Sequence, residues 1–307
     1  MKYSIFTFLA LTLVMLGIGA TTGFSSESAA GTGLAFLKLG AGSRAAAMGE
    51  AYTAIANDAS GAYWNPAGLV TMEGTELSFT HNQWLHDITN EFVAVRFGAG
   101  KSAFGVSFIS NNVAGIERRV SPSAEPLDVL EAHDIMFGLS YARAFHRNLD
   151  WGVTVKYLYE KIYIESSTGA AVDMGIVYRP RITGLRVGLA LQNFGYVTEL
   201  RDESLQLPQT IRAGFAYQLP MQLFNGSILA ASDWLMVIDG NSHVNMGMEY
   251  AFVNYFALRL GYQTGWDDKG ISAGFGVQVK RYRLDYAYVP FTSDLGNSHR
   301  ITFGVKF

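Results

Sequence analysis

Few residues of this chain are placed to do chemistry. His81, His86 and Asp87 are the most metal-like set by type, but a spacing of five puts the two histidines on opposite faces of a strand. One ion takes both only if the chain bends at Trp84. Asp267-Asp268-Lys269-Gly270 and Asp294 sit in turn-like stretches, where calcium is conceivable. Their spacing does not supply the roughly six to eight oxygens that calcium takes. His133, His243 and His299 stand singly near the ends of apolar stretches and are expected to face solvent. Hydrolysis of an ester or peptide needs Ser/His or Asp/His groups gathered at one rim, and no local GxSxG pattern occurs. The reading is therefore no catalytic residue, no metal ligand set and no cofactor.

Global composition narrows the classes further. There is no cysteine, so neither a disulfide framework nor a thiolate metal site can form. Lys and Arg number 23 against 26 Asp and Glu, a net charge of −3, which gives nucleic acid nothing to bind. Met1 to Ala20 holds Lys2 and then an uncharged apolar run from Ile5 to Ile18, the layout of a secretory signal peptide. That run is short for a membrane anchor. Residues 1–20 are read as the signal, with cleavage after Ala20 or as late as Ala30; removal after Ala20 takes the net charge to −4 because Lys2 leaves with it. No later uncharged apolar run approaches the ~18 residues of a spanning helix. Yet 49% of residues are apolar, 13% are aromatic and 33 are glycine. An exported, apolar, aromatic, glycine-rich chain without spanning helices points to a barrel.

From Thr75 onward the dominant period is two. Ile135, Phe137, Leu139 and Tyr141 alternate with Met136, Gly138, Ser140 and Ala142; Phe256, Leu258, Leu260 and Tyr262 alternate with Ala257, Arg259 and Gly261. Alternation puts one class of side chain on each face of a strand. About fourteen strands are expected, near 75–83, 89–98, 101–112, 131–144, 150–161, 170–179, 184–193, 208–219, 227–236, 243–252, 255–264, 270–279, 281–289 and 299–307. Connections after even-numbered strands are mostly short, and the two longest, around 113–130 and 194–207, follow odd ones. An even strand count with short turns on one side and long loops on the other is what a transmembrane barrel requires. The fold class is thus all-β: a transmembrane antiparallel β-barrel of about fourteen strands at 73–307, led by a short N-terminal helical plug at 31–72. The charges fall on the non-apolar face, consistent with a wet lumen inside and lipid outside. Lys156, Glu160, Asp173, Arg259, Arg281, Arg283 and Asp285 are the lumen charges, placed to guide a polar permeant or to pair with one another and with Arg44, Glu50 or Asp58 of the plug.

The plug segment Gly40 to Val70 is rich in small residues and ends in a turn signal, Asn65-Pro66-Ala67-Gly68. Asn57-Asp58 and Ser60 offer helix caps, and Ala45 to Met48 favours a short helix. Such a segment buries little by itself and suits packing inside something else. Its plug motif is Arg44, Met48, Gly49, Asn57, Asp58, Asn65, Pro66 and Gly68.

Phe36-Leu37-Lys38-Leu39-Gly40, followed by Ser43-Arg44-Ala45 and Met48-Gly49, resembles the N-terminal signature of the PorV/PorQ family of outer-membrane proteins. Asn57-Asp58-Ala59-Ser60 running into Tyr63-Trp64-Asn65-Pro66-Ala67-Gly68-Leu69 is similar to the broader fatty-acid transporter (FadL) superfamily. The terminal aromatic Phe307 resembles the signal read by the outer-membrane assembly machinery. The first resemblance implies a non-catalytic role in protein export of type IX kind, with secreted cargo and secretion-system components as partners. The second implies passive transport of a hydrophobic small molecule. Either places the chain in the outer membrane, with its lipid as the constant partner.

Overall fold

A computed structural model describes residues 33–85, 88–119, 125–201, 203–238, 240–253, 255–266, 269–292 and 296–307. The expected signal peptide lies outside the described residues, as do His86, Asp87, Asp267, Asp268 and Asp294. The strands are β1 (Thr75–Gln83), β2 (Ile88–Ala99), β3 (Ser102–Arg118), β4 (Asp128–His146), β5 (Leu149–Ile162), β6 (Glu165–Tyr178) and β7 (Leu185–Val197). They continue as β8 (Thr210–Leu223), β9 (Gly226–Val237), β10 (Ser242–Phe252), β11 (Phe256–Thr264), β12 (Ile271–Val279), β13 (Tyr282–Pro290) and β14 (Asn297–Lys306). Each pairs antiparallel with its chain neighbours, and β14 pairs with β1 to close one barrel. Closure leaves no unpaired edge, which is what lets strands cross lipid.

The period of two sets the facing. On β11, Leu258 and Leu260 are 50% and 54% exposed, while Arg259 between them is 5% exposed. On β4, Phe137 and Leu139 face out and Met136 and Ser140 are buried inside. A continuous apolar exterior over buried charge is the reverse of a soluble protein and matches a barrel bathed in hydrocarbon. Tight hairpins lie at the end where the chain enters β1; Gly100-Lys101 joins the pair Ala99↔Ser102, and Lys280-Arg281 joins Val279↔Tyr282. By the asymmetry of transmembrane barrels this is the periplasmic end.

Strand boundaries depart from expectation at the opposite end. β3 and β4 reach 17 and 19 residues because pairing resumes at Ile116↔Leu130 beyond a bulge after Val113. The expected connection after β5 shrinks to a tight turn closed by Ile162↔Glu165. Backbone pairing continues there through polar residues, where apolar alternation gives no signal.

Inside the barrel sits a cork of four short helical turns: α1 (Ala35–Lys38), α2 (Ser43–Ala47), α3 (Gly61–Trp64) and α4 (Pro66–Thr71). None is long enough to stand alone. From Ser43 the cork follows the inner wall once around in descending strand order. Ser43 bonds Thr302 on β14, Gly49 bonds Ser272 on β12, Thr53 bonds Asp233 on β9 and Asn65 reaches β6. Arg96 of β2 then ties the carbonyls of Leu69, Met72 and Gly74, where the chain turns into β1.

The lumen and its cork as the candidate functional site

The cork seats closely because the wall is glycine where it passes. A methyl group at Gly152 would come within 2.5 Å of Pro66, one at Gly188 within 2.6 Å of the Thr53 carbonyl, and one at Gly274 within 2.6 Å of the Ala47 methyl. At Gly175 it would overlap the Asn65 side chain outright. These glycines alternate with outward residues, so each gives up an inward side chain and admits the cork in its place, as backbone at Gly152 and Gly188 and as a side chain at Gly175 and Gly274.

Asn65 is the hinge-pin of this contact. Its side-chain oxygen accepts from Ala67 N–H at 3.2 Å, capping α4, with Pro66 at the first helical position. Its amide donates to Thr53 O at 2.9 Å within the cork and to Ile176 O at 3.2 Å on β6. Gly68 touches Ala56 so closely that any side chain there would overlap the Ala56 carbonyl. Met48 is fully buried, and Gly49, at φ +60°, lies against the backbone of Met246 and Tyr262.

Charges bind the cork to the wall. Arg44 donates to both oxygens of Glu249 at 2.8 Å, a bidentate pair, and to Asn57 at 2.7 Å. Glu249 also receives Arg259 at 2.6 Å, Arg259 reaches Asp285 at 2.7 Å, and Asp285 meets Arg283 at 2.9 Å. Arg283 ends the chain of charges between Asp58 of the cork and Glu76 of β1, at 3.2 Å from each. Burial alone would raise the Asp58 carboxyl, but Arg283 and Arg44 hold it below the ordinary aspartate value, helped by bonds from Ser60 and Tyr52. Beside this network a polar cavity of about 470 Å³ opens at the periplasmic end.

Lys156 and Asp173 form a separate buried pair at 2.5 Å, and Lys156 also donates to Asn193 at 2.8 Å. Glu160 accepts the Leu34 N–H at 3.3 Å, linking the start of the cork to the outer half of β5. Arg281 does not join the lumen charges. It lies exposed in the β12–β13 turn with its guanidinium over the Tyr282 ring at 5.3 Å, because the strand ends before its inward parity takes effect. His243 also differs from expectation: it is buried and stacked on Trp266 at 3.9 Å. His81 pairs with Glu91 at 2.5 Å, His133 lies 3.3 Å from Glu131, and His299 contacts the Tyr286 hydroxyl at 2.8 Å. Among the described residues, no three His, Asp or Glu side chains converge to hold a metal. Phe307 is exposed and its backbone pairs with Thr75.

Sequence reasoning missed several wall residues that hold the cork. Asp233 accepts from Tyr52 N–H, Thr53 N–H and the Thr53 hydroxyl at 2.6–2.9 Å. Arg212 lies 4.8 Å over the Trp64 ring, and Gln192 receives Arg212 while donating to Tyr63 O. Inward parity on β7, β8 and β9 was the available signal; that a cork would meet them was not.

In the outer half of the lumen the cork is apolar. Leu34, Phe36, Leu37 and Leu39 share one buried cluster with Phe92, Ile109, Met136, Leu158 and Leu207 of the wall and loops.

A model described as an uncharacterised protein family (UPF0164) matches residues 16–115, about a third of the chain. No curated protein matches. Solved outer-membrane channels share the fold. The CymD monoaromatic hydrocarbon channel is 12% identical with a TM-score of 0.68, covering 90% of this chain and 99% of that one. The P. putida toluene transporter TodX is 11% identical with a TM-score of 0.62, covering 87% and 99%. With its closed fourteen-strand wall, apolar outside and charged within, the chain is an outer-membrane β-barrel that shares its fold with these channels.

Proposed function

We propose that the chain is a FadL-like passive channel for hydrophobic small molecules across the outer membrane, held shut in this state by its cork. The observation that carries this reading is the apolar cluster in the outer lumen. A barrel that needed only rigidity could fill that space with paired polar groups, as it does lower down. Instead Phe92, Ile109, Met136 and Leu158 turn inward toward Leu34, Phe36 and Leu37. A ligand of similar character would take the same surface once those residues withdraw. The substrate class follows two channels that share the fold, one a monoaromatic hydrocarbon channel and the other a toluene transporter.

The absence of cysteine makes a clean test available. Ser43→Cys with Thr302→Cys places two thiols where hydroxyls now lie 2.8 Å apart, so oxidation locks cork to wall. Cells of a host lacking its own hydrocarbon channels should take up labelled toluene faster with the chain than without it. The oxidised double variant should lose that advantage and regain it with reductant. Equal uptake with and without the chain rejects the channel.

The filled lumen favours a second reading, the export role implied by the PorV/PorQ resemblance, in which outer loops and wall engage secreted cargo. Affinity isolation from detergent-solubilised outer membranes separates the two. Secreted proteins sharing a C-terminal signal domain would co-purify in the export case, and hydrophobic small molecules in the channel case.

A further inference from the structure

A groove on the lipid-facing wall is bordered by side chains that meet neither cork nor lumen. Across β5, β6 and β7 the lipid-facing side chains Trp151, Val153, Met174, Ile176, Leu189 and Leu191 border a groove of about 470 Å³ that is almost wholly apolar. Gly152 and Gly175 form its floor, since their missing side chains point inward to the cork. Trp151↔Ile176 and Ile176↔Leu189 are cross-strand pairs, so one wall of the groove is a single row. Ile176 lies two residues from the end of β6, about 7 Å from the periplasmic rim at the rise of a strand.

That rim is basic. Arg143 pairs directly with Trp151 across β4 and β5. Arg147 lies in the β4–β5 turn, whose Asn148 carbonyl accepts from Arg179 N–H, and Arg181 follows in the β6–β7 connection. Arg143, Arg147 and Arg181 are exposed. Among the described residues of these turns the one carboxylate is Asp150, which is buried and already bound by Arg179 at 2.6 Å. Among the described residues, the far ends of β3 to β7 and their connections carry more exposed or half-buried acids than bases, with Glu117, Glu125, Asp128, Glu131, Glu165, Glu199 and Glu203 against Arg118, Arg119, Lys161 and Arg201. The charge is polarised across the membrane rather than scattered.

We propose that this sector binds an anionic phospholipid of the periplasmic leaflet, its phosphate held by Arg143, Arg147 and Arg181 and an acyl chain lying in the β5–β7 groove. The wall is bathed in lipid, so acyl chains are what reach the groove. The cluster of arginines just beneath it selects for a negative headgroup. Charge and groove lie at the separation between a phosphate and the upper part of its own acyl chain. The bordering side chains face away from the cork, which meets the groove only through its floor glycines.

The test uses the full chain purified in mild detergent, exchanged against equal phosphatidylglycerol and phosphatidylcholine, with retained lipid counted by native mass spectrometry. Phosphatidylglycerol should be retained in excess. Arg143→Gln, Arg147→Gln and Arg181→Gln combined should cut that excess by about a hundredfold. Leu189→Trp, which fills the groove and keeps the charges, should cut retention of both lipids. Heat-modifiable gel mobility confirms that each variant is a folded barrel, and inorganic phosphate added in excess should not displace the lipid. Equal retention of the two lipids by the native chain, undiminished preference in the arginine variant, unchanged retention in Leu189→Trp, or displacement by phosphate alone each overturns the proposal.

Discussion

At the scale of single residues, Asn65 shows how a weak motif becomes a structural pin. Three hydrogen bonds and one steric fit meet there: the cap of α4, the Thr53 carbonyl, the β6 carbonyl at Ile176, and the space left by the missing side chain at Gly175. Asn65→Ala removes both donor and acceptor from a buried setting, at a cost of about 1–3 kcal/mol. Hydrogen exchange across residues 43–71 should accelerate, and uptake of small antibiotics by cells should rise at unchanged surface amounts. Gly175→Val should do the same more strongly, because a branched side chain there has nowhere to go except the space Asn65 fills. Unaltered exchange in both variants would show that the cork is held elsewhere. The motif was readable in the sequence as a turn. Its wall partner was not, because Gly175 is a hundred residues away and looks like any other strand glycine.

At the scale of elements, the cork is a string of turns too short to fold alone, held by a wall that supplies its missing partners. The chain of charges from Arg44 through Glu249, Arg259, Asp285 and Arg283 to Asp58 crosses between cork and three strands. Removing one member leaves its neighbours with one partner fewer. Arg259→Met leaves Glu249 with Arg44 alone and Asp285 with Arg283 alone, with an expected loss of about 1–3 kcal/mol. It should release the cork to proteases before the barrel itself melts, read as cleavage within residues 40–72 while heat-modifiable mobility persists. The depressed Asp58 carboxyl makes one contribution to the pH dependence. Its pKa is lower folded than unfolded, so its contribution is complete above the unfolded value of about 3.9 and is lost as pH falls through the folded one. The Asp58 contribution should therefore hold steady above about pH 5 and be lost under stronger acid, read as a smaller acid sensitivity of cork cleavage in Asp58→Asn. The lumen charges were legible as inward residues, and their pairing with one another and with the plug was one of two expectations. Arg281 broke the pattern because parity has meaning only inside a strand.

For the whole molecule, the governing fact is an inside-out distribution: charges and the cork within, hydrocarbon without. Leu258 is half exposed on β11 and faces lipid, so Leu258→Arg should cost about 2–4 kcal/mol of insertion if it lies near mid-bilayer. Folding yield into liposomes, scored by heat-modifiable mobility, reads this directly, and an undiminished yield would place that position away from lipid. The same inversion explains why a net charge near neutrality says so little here. Charge is sorted by face and by end, and the sum erases both.

The amino-acid sequence alone determined the wall. A side-chain period of two, kept over fourteen segments with charges on one parity, has no stable arrangement in lipid except closure. Short connections after even-numbered strands fixed which end is which. The sequence also marked residues 40–70 as a compact segment dependent on other contacts, since small residues and a turn signal are local properties. The tertiary structure alone decided where that segment lies, which glycines receive it, and which carboxylates meet which arginines. Those are contacts between residues far apart in the chain, and no local periodicity encodes them. The strand extensions beyond β3 and β4 belong to the same class, because backbone pairing outruns the apolar pattern where strands leave the membrane.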